Sequence, residues 1–521
     1  MKWVKKILIS VLVLFLAAIL LDLGLDYWVS VRLPKLINDQ NNSPYSITYK
    51  NLDISLLKNT ILAENIMLCP KAALNDTVIK KGIYAKIGVV DIKGVKIWDL
   101  VFRSKIKAEN ITITKPEVIL YKQNENAINN PKSIRSDVVA PFGKIIVVPD
   151  IYLNRGDIKI INIKNDKIIL NVANISVKLK NVAITDKLLE HKIPFAYQNY
   201  TFRCDSLYYR PNAFYHIKSG QIETSDTGLL LEKFTMTPQY NRADFVKRMP
   251  KERDIYTLNA STIRFEKMRW GFDKEEQFFF HAGAILINRA NANIYRPKMP
   301  PDDLRKKPLY NKLLREMPFD LAIDTLKIQN SVLEYEEEKT SERGPGLISF
   351  NHFNLNARHL NSGFQKKKLP DVAIAIRCRF MNISPMKVNW SLNVLDKTDG
   401  FRIKGNIRKL PADRLAPFIK PYINVTAKGM LDIVYFDFTG NDKTSGGHFG
   451  IDYDDLKFTV YREKKPEKKN KLLTAIARIF VKKDTDEKIK DTEVAVERIP
   501  EKSFYNLFWR SIEEGLKKIL I

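Results

Sequence analysis

The chain has 521 residues, of which 45% are hydrophobic. That is too polar for a multispan transporter and long for one compact core, so two domains or an extended architecture is expected. Its 86 Lys and Arg outnumber 59 Asp and Glu, for a formal charge of +27. The lysines are scattered among strand-like segments and no nucleic-acid module is present, so nucleic acid is excluded as a partner. What remains is contact with anionic lipid or glycan, or a solvated lysine-rich surface.

The N-terminus begins with an apolar run from Ile7 to Leu21, broken by Ser10, that continues as Leu23 and Leu25 around Asp22. From Ile7 to Leu25 a helix would be about 28 Å long, close to the ~30 Å hydrocarbon core of a bilayer. Ile7, Leu12, Phe15, Leu20 and Leu25 are the anchor residues of this reading. Lys2, Lys5 and Lys6 precede the run and stay cytoplasmic by the positive-inside rule, while Tyr27 and Trp28 suit the far interface. Residues 1–28 are therefore expected to be a single-pass anchor with its N-terminus in the cytoplasm, followed by a juxtamembrane segment at 29–43. A cleaved signal peptide is the competing reading, but no small-x-small cleavage site follows the apolar core.

From Tyr45 the period changes to two, as half-buried strands require. Val372, Ile374, Ile376, Cys378 and Phe380 alternate with Asp371, Arg377 and Arg379 on the opposite face. Such segments follow one another with few helical patterns between them. Residues 44–461 thus read as a mainly β domain, an antiparallel meander. A weak repeat runs through it. Ile111-x-Ile113 is followed by Val118-x-Leu120, and Ile151-x-Leu153 by Ile158-x-Ile160. Ile285-x-Ile287 is followed by Ala292-x-Ile294, and Leu326-x-Ile328 by Leu333-x-Tyr335. Each pair encloses turn-like residues and reads as a hairpin. The first two copies start forty residues apart and the last two forty-one.

Helical inserts are expected near 302–317 and 411–420. Residues 462–521 read as a basic linker and C-terminal amphipathic helices. Arg462 to Lys490 carries eleven Lys or Arg around Leu472, Leu473, Ile476, Ile479 and Phe480. Lys502 to Ile521 places Phe504, Leu507, Phe508, Ile512, Leu516, Ile519 and Leu520 on one stripe. These helices either plug the end of the β structure or meet a membrane or partner.

Nothing in the sequence announces catalysis. There is no phosphate-binding loop, zinc-protease motif, nucleophile elbow or dinucleotide fingerprint. Cys69, Cys204 and Cys378 form neither a disulfide framework nor a metal site, and Cys378 reads as a small core residue. The six histidines lack ligand spacing. Glu334, Glu336, Glu337 and Glu338 read as a solvated strand end. Asp452, Asp454 and Asp455 lack the spacing of a calcium loop. No catalytic residue, cofactor or metal is assigned, and the chain reads as a non-enzyme.

Three stretches carry a resemblance. They are the anchor, Leu33-Pro34 and YSITYKNLDISLLKNTILAENI (45–66); FDLAIDTLKIQNSVLEYEE (319–337); and AKGMLDIVYFDFTGNDKTSGGHFGIDYDDLKFTV (427–460) with the terminal helices. Together they resemble the AsmA-like family of bacterial envelope proteins. The resemblance implies an inner-membrane helix carrying an elongated, twisted antiparallel sheet in the periplasm, folded into a groove with an apolar inside. It implies phospholipid transport between inner and outer membranes, or envelope homeostasis. On such a face Val372, Ile374, Ile376 and Phe380 would touch acyl chains. The alternative is a non-enzymatic scaffold for envelope or outer-membrane protein assembly, with envelope proteins as partners of the C-terminal helices.

Overall fold

The computed structural model describes residues 45–55, 58–72, 81–96, 99, 106–122, 146–182, 196–462, 465–469 and 488–520. The anchor at 1–28, the juxtamembrane segment and the apolar core of the first C-terminal helix (Leu472 to Phe480) lie outside them. Among the described residues no helix is long and apolar enough to cross a membrane. The fold is mainly β, as the period-two patterning requires. It forms two compact units, one within Met1–Ala213 and Ile217–Asp226, the other within Phe214–His216 and Thr227–Ile521.

The first unit contains β1 (Tyr45–Thr48), β2 (Asn51–Ser55), β3 (Thr60–Pro70) and β4 (Gly82–Lys93). These are followed by β5 (Ile106–Lys107), β6 (Asn110–Lys122), β7 (Ile146–Val147), β8 (Asp150–Asn162) and β9 (Ile168–Lys180). The shorter β10 (Asn199–Cys204), β11 (Ser206–Tyr209), β12 (Tyr215–Ser219) and β13 (Ile222–Ser225) come next, with Tyr215 and His216 of β12 counted in the second unit. Strands β3, β4, β6, β8 and β9 lie side by side in that order.

The second unit opens with β14 (Gly228–Pro238), β15 (Ile255–Glu266), β16 (Arg269–Phe272) and β17 (Phe278–Pro297). It continues with β18 (Asp320–Glu338), β19 (Gly346–Asn361), β20 (Val372–Phe380), β21 (Ser384–Leu392) and β22 (Phe401–Pro411). Next come β23 (Val425–Gly440), β24 (Thr444–Arg462), β25 (Lys465–Lys469) and β26 (Lys490–Glu497). From β17 to β24 each strand pairs with the next, and β26 adds to β24.

The expected hairpins are not hairpins. Asn110–Lys122, Asp150–Asn162, Phe278–Pro297 and Asp320–Glu338 are each one continuous strand. The residues taken for turns are bulges, with Lys115, Arg155, Arg289 and Asn330 at φ 53°, 56°, 49° and 52°. The physical reason lies in the seven-residue step between apolar pairs. Seven is odd, so a regular strand would send the second pair to the other face, and one extra bulged residue restores the phase.

Nor is the sheet wholly antiparallel. β6 and β8 pair in parallel, Asn110 opposite Asp150, and β17 and β18 do so with Phe279 opposite Asp320. These are the repeat spacings of forty and forty-one. Because both partners carry the bulge at the same level, register is kept on either side of it. The bulges also line up across neighbours: Asn65, Lys115, Arg155 and Asn174 in the first unit, Lys233, Arg289, Asn330 and His352 in the second. A bulged strand bends and twists more strongly, so such a row favours a bend of the sheet along a line.

The insert expected at 302–317 is helical over Tyr310–Arg315 alone. Pro308 lacks the N–H that a helix through it would need and disfavours helical backbone before it, so the segment stays irregular until Leu309. The insert at 411–420 is a 3₁₀ turn, Ala412–Leu415, running into an α-helix, Ala416–Ile423. It stops at Asn424, which takes the left-handed conformation (φ 59°). The basic helix expected over 462–490 is replaced at Lys465–Lys469 by β25, paired to β24. Its end, from Lys490, is β26. The last helix spans Phe504–Leu520 and buries Phe504, Leu507, Ser511 and Gly515. A Cβ on Gly515 would come within 2.5 Å of the Phe449 ring, so this helix approaches the sheet at a distance only glycine permits.

The bulge account gives a direct prediction. Asn330→Val puts a β-branched residue in left-handed backbone and is expected to cost about 1–2 kcal/mol. Asn330→Gly is expected to be close to neutral. Denaturant midpoints of the two variants decide it, and equal midpoints would contradict the bulge.

Candidate functional site

The candidate site is a face of the sheet, and cross-strand register builds it. In the first unit Ala63, Val90, Ile113, Leu153, Val177 and Phe202 stand directly opposite one another on successive strands. Beyond the bulges a second row runs Leu68, Ala85, Val118, Ile158, Val172 and Leu207. All six members of the first row are half-buried. A fully covered sheet face would bury them. One end is closed by Val95, Ala108 and Val148 packed on Ile54, Ile61 and Ile92. Among the described residues of this unit no helix lies on the rows.

The second unit repeats the design over more strands. One row runs Leu229, Phe265, Ile285, Leu326, Ala357, Ile374, Trp390, Ile403 and Phe438. Its neighbour includes Ile263, Ile287, Ile328, Leu355, Ile376 and Val388. This row reaches Gly405, where a Cβ would sit 2.7 Å from the Phe436 ring. Here the face is partly sealed. The Phe504–Leu520 helix packs its stripe onto a core containing Phe436, Phe438, Phe449 and Ile451. Phe504 stacks on Trp390 with ring centroids 4.6 Å apart. Toward β14 and β15 the rows stay half-buried, as at Leu229, Leu231, Ile263 and Phe265.

The four residues singled out in β20 share one face. Val372 is 1% exposed and belongs to the sealed core with Leu309 and Leu392. Ile374, Ile376 and Phe380 are half-buried against that core, and Phe380 meets Phe350 at 5.5 Å. Cys378 lies inward, and burial pushes its thiol up to about 11. Half-buried positions of the rows in each unit, Ile113 in the first and Ile263 in the second, carry no local mark that sets them apart from covered ones. Every strand alternates, and only register tells which alternations join.

Past the bulges, polar groups end the apolar face of the second unit. Asp254 receives a two-pronged contact from Arg296 (2.6 and 2.7 Å), and Lys298 donates to Glu252 (2.8 Å). Burial alone would lower the Arg296 pKa, but Asp254 holds it above the ordinary value. Burial, with the Asp254 charge second, pushes Tyr256 up to about 12. The Glu334–Glu338 run is not a solvated strand end. Glu336 accepts both prongs of Arg242 (2.8 and 2.5 Å) and an Asn293 amide (2.6 Å). Tyr295 donates to Glu338, and Tyr335 to the buried Glu337. Burial works to raise the Glu336 carboxyl, yet Arg242 and Asn293 hold it below the usual range.

Among the described residues no three His, Cys, Asp or Glu are placed to hold a metal. His352 and His359 occupy left-handed positions at φ 46° and 59°, and Asp455 does so at 47°.

No family model matches this chain, and no curated protein matches it.

Because the Glu336 carboxyl is held low, its contribution to stability is full above the ordinary carboxylate pKa and is lost as pH falls through its lowered value. Glu336→Gln is expected to cost about 1 kcal/mol at pH 7, discounted for the half-exposed Arg242. The gap should narrow below about pH 4. Urea unfolding at pH 7 and pH 3 measures it, and a gap independent of pH would contradict the charge pairing.

Proposed function

We propose that this chain is an anchored envelope protein that holds lipid acyl chains along its apolar sheet faces. It contributes to phospholipid transport between inner and outer membranes, or to envelope homeostasis. The reading rests on one observation: apolar residues in register across many neighbouring strands are left half-buried. A sixteen-carbon acyl chain costs on the order of 13 kcal/mol to expose to water, at ~0.8 kcal/mol per CH₂. A carrier therefore needs an apolar surface without interruption, and matched rows provide one within each unit. The row of bulges favours a bent sheet, and hence a groove.

The resemblance to the AsmA-like family points the same way, and with it come the inner-membrane anchor and the periplasmic placement. A scaffold acting through the terminal helix has less support. That helix spends its apolar stripe on its own sheet, leaving Tyr505 and Trp509 exposed.

The test is photocrosslinking in cells with a photoreactive residue at Ile113 or, in a parallel strain, at Thr112 on the opposite face. Mass spectrometry is expected to find phospholipid on position 113 and not on 112. Adducts at 113 confined to the protein itself would mean that the row is a closed core and would end this reading.

A further inference from the structure

The opposite face of β19 to β22 is polar and strongly basic. Arg358, Arg377, Arg379 and Lys387 are exposed there, and among the described residues none has an ion-pair partner. Arg377 and Lys387 stand directly opposite each other on paired strands. Like charges so placed destabilise a sheet. Next to them the face is recessed. Ala373 and Ala375, both exposed and both weak strand formers, floor a depression of about 480 Å³. That lies within the usual range for small-ligand sites, roughly 300–1,000 Å³.

Arg358, Arg402 and Lys404 rim the recess, with Asn356, Asn389 and Ser391 between them. Register fixes this pattern: Asn356, Ala375, Asn389 and Lys404 form one row, and Arg358, Ala373, Ser391 and Arg402 the next. The carboxylate facing the rim is Asp437, which holds Arg402 through two hydrogen bonds (3.0 and 2.8 Å). Asp371, at the edge, is engaged by Asn393 (2.7 Å). Arg358 has no ion-pair partner among the described residues.

We infer that this depression binds an acidic saccharide, one bearing phosphate or carboxylate groups. The cations meet the acid group. The side-chain amides and the serine match ring hydroxyls as donors and acceptors. The alanine floor lets a sugar ring lie against the sheet. A bare anion would leave the amides unused. An anionic bilayer would be met by cations standing beside protruding apolar groups, whereas these ring a recess. The site is on the polar face and stands whether or not the apolar rows carry lipid.

The experiment uses the purified full chain on an array of oligosaccharides bearing uronate carboxylates or phosphate monoesters, each beside its neutral parent. Inorganic phosphate and anionic vesicles serve as competitors. Acidic glycans are expected to be retained at least tenfold over their parents. Arg358→Gln and Lys404→Gln should each reduce retention at least tenfold. Ala375→Phe, which fills the recess without changing charge, should do the same. Arg269→Gln, an exposed cation on β16, should leave it unchanged, and thermal unfolding checks that every variant is folded. Equal retention of neutral parents, no retention, or full retention by Ala375→Phe would overturn the proposal. So would competition by phosphate or vesicles at concentrations as low as those of the glycan itself.

Discussion

Strand alternation is the constraint on which this structure depends. Side chains point to opposite faces at every step, so a long strand keeps one apolar face only while its pattern stays in phase. Here the pattern slips by one residue partway along many strands. Each slip is absorbed by a bulge: Lys115 and Arg155 in the first unit, Arg289 and Asn330 in the second. Neighbouring strands carry the bulge at the same level, so rows match on both sides of it. Had the levels differed, each mismatch would have turned Ile or Leu toward solvent on one side.

The two faces that result have different fates. Within each unit the apolar side is continuous by register, half-buried along its row in the first unit beyond one closed end, and sealed at one end of the second. The seal is specific: Gly515 brings the last helix close to Phe449, and Phe504 stacks on Trp390. Beyond the bulges, Asp254, Arg296 and the Tyr335–Glu337 pair replace apolar contact with fixed hydrogen bonds. The opposite side over β19 to β22, by contrast, concentrates cations, and Arg358, Arg377, Arg379 and Lys387 have no ion-pair partner among the described residues. Over β19 to β22 a single layer of strands thus presents an apolar surface and a basic one back to back.

Much of this was legible in the sequence, and the failures have physical causes. The alternation from Tyr45 onward identified the strands, and the stripe from Phe504 to Leu520 identified the last helix. The spacings of forty and forty-one were visible as a repeat. They read as hairpins because the residues between the apolar pairs resemble turns, whereas here the equal spacing belongs to bulged strands that are parallel neighbours. Val372 shares a face with Ile374, Ile376 and Phe380 but lies at its sealed end; coverage by a helix distant in sequence leaves no local trace. Glu336 looked solvated for the same reason, since Arg242 lies far away along the chain.

The central claim is that the rows are a surface for acyl chains rather than an unusually loose core. Native mass spectrometry of the purified full chain tests it most directly. The account predicts mass additions matching acyl lipids, identified after extraction, and their loss in Ile158→Glu, where a charge enters the middle of a row. A bare protein mass under conditions that preserve the fold, or unchanged lipid in Ile158→Glu, would contradict it.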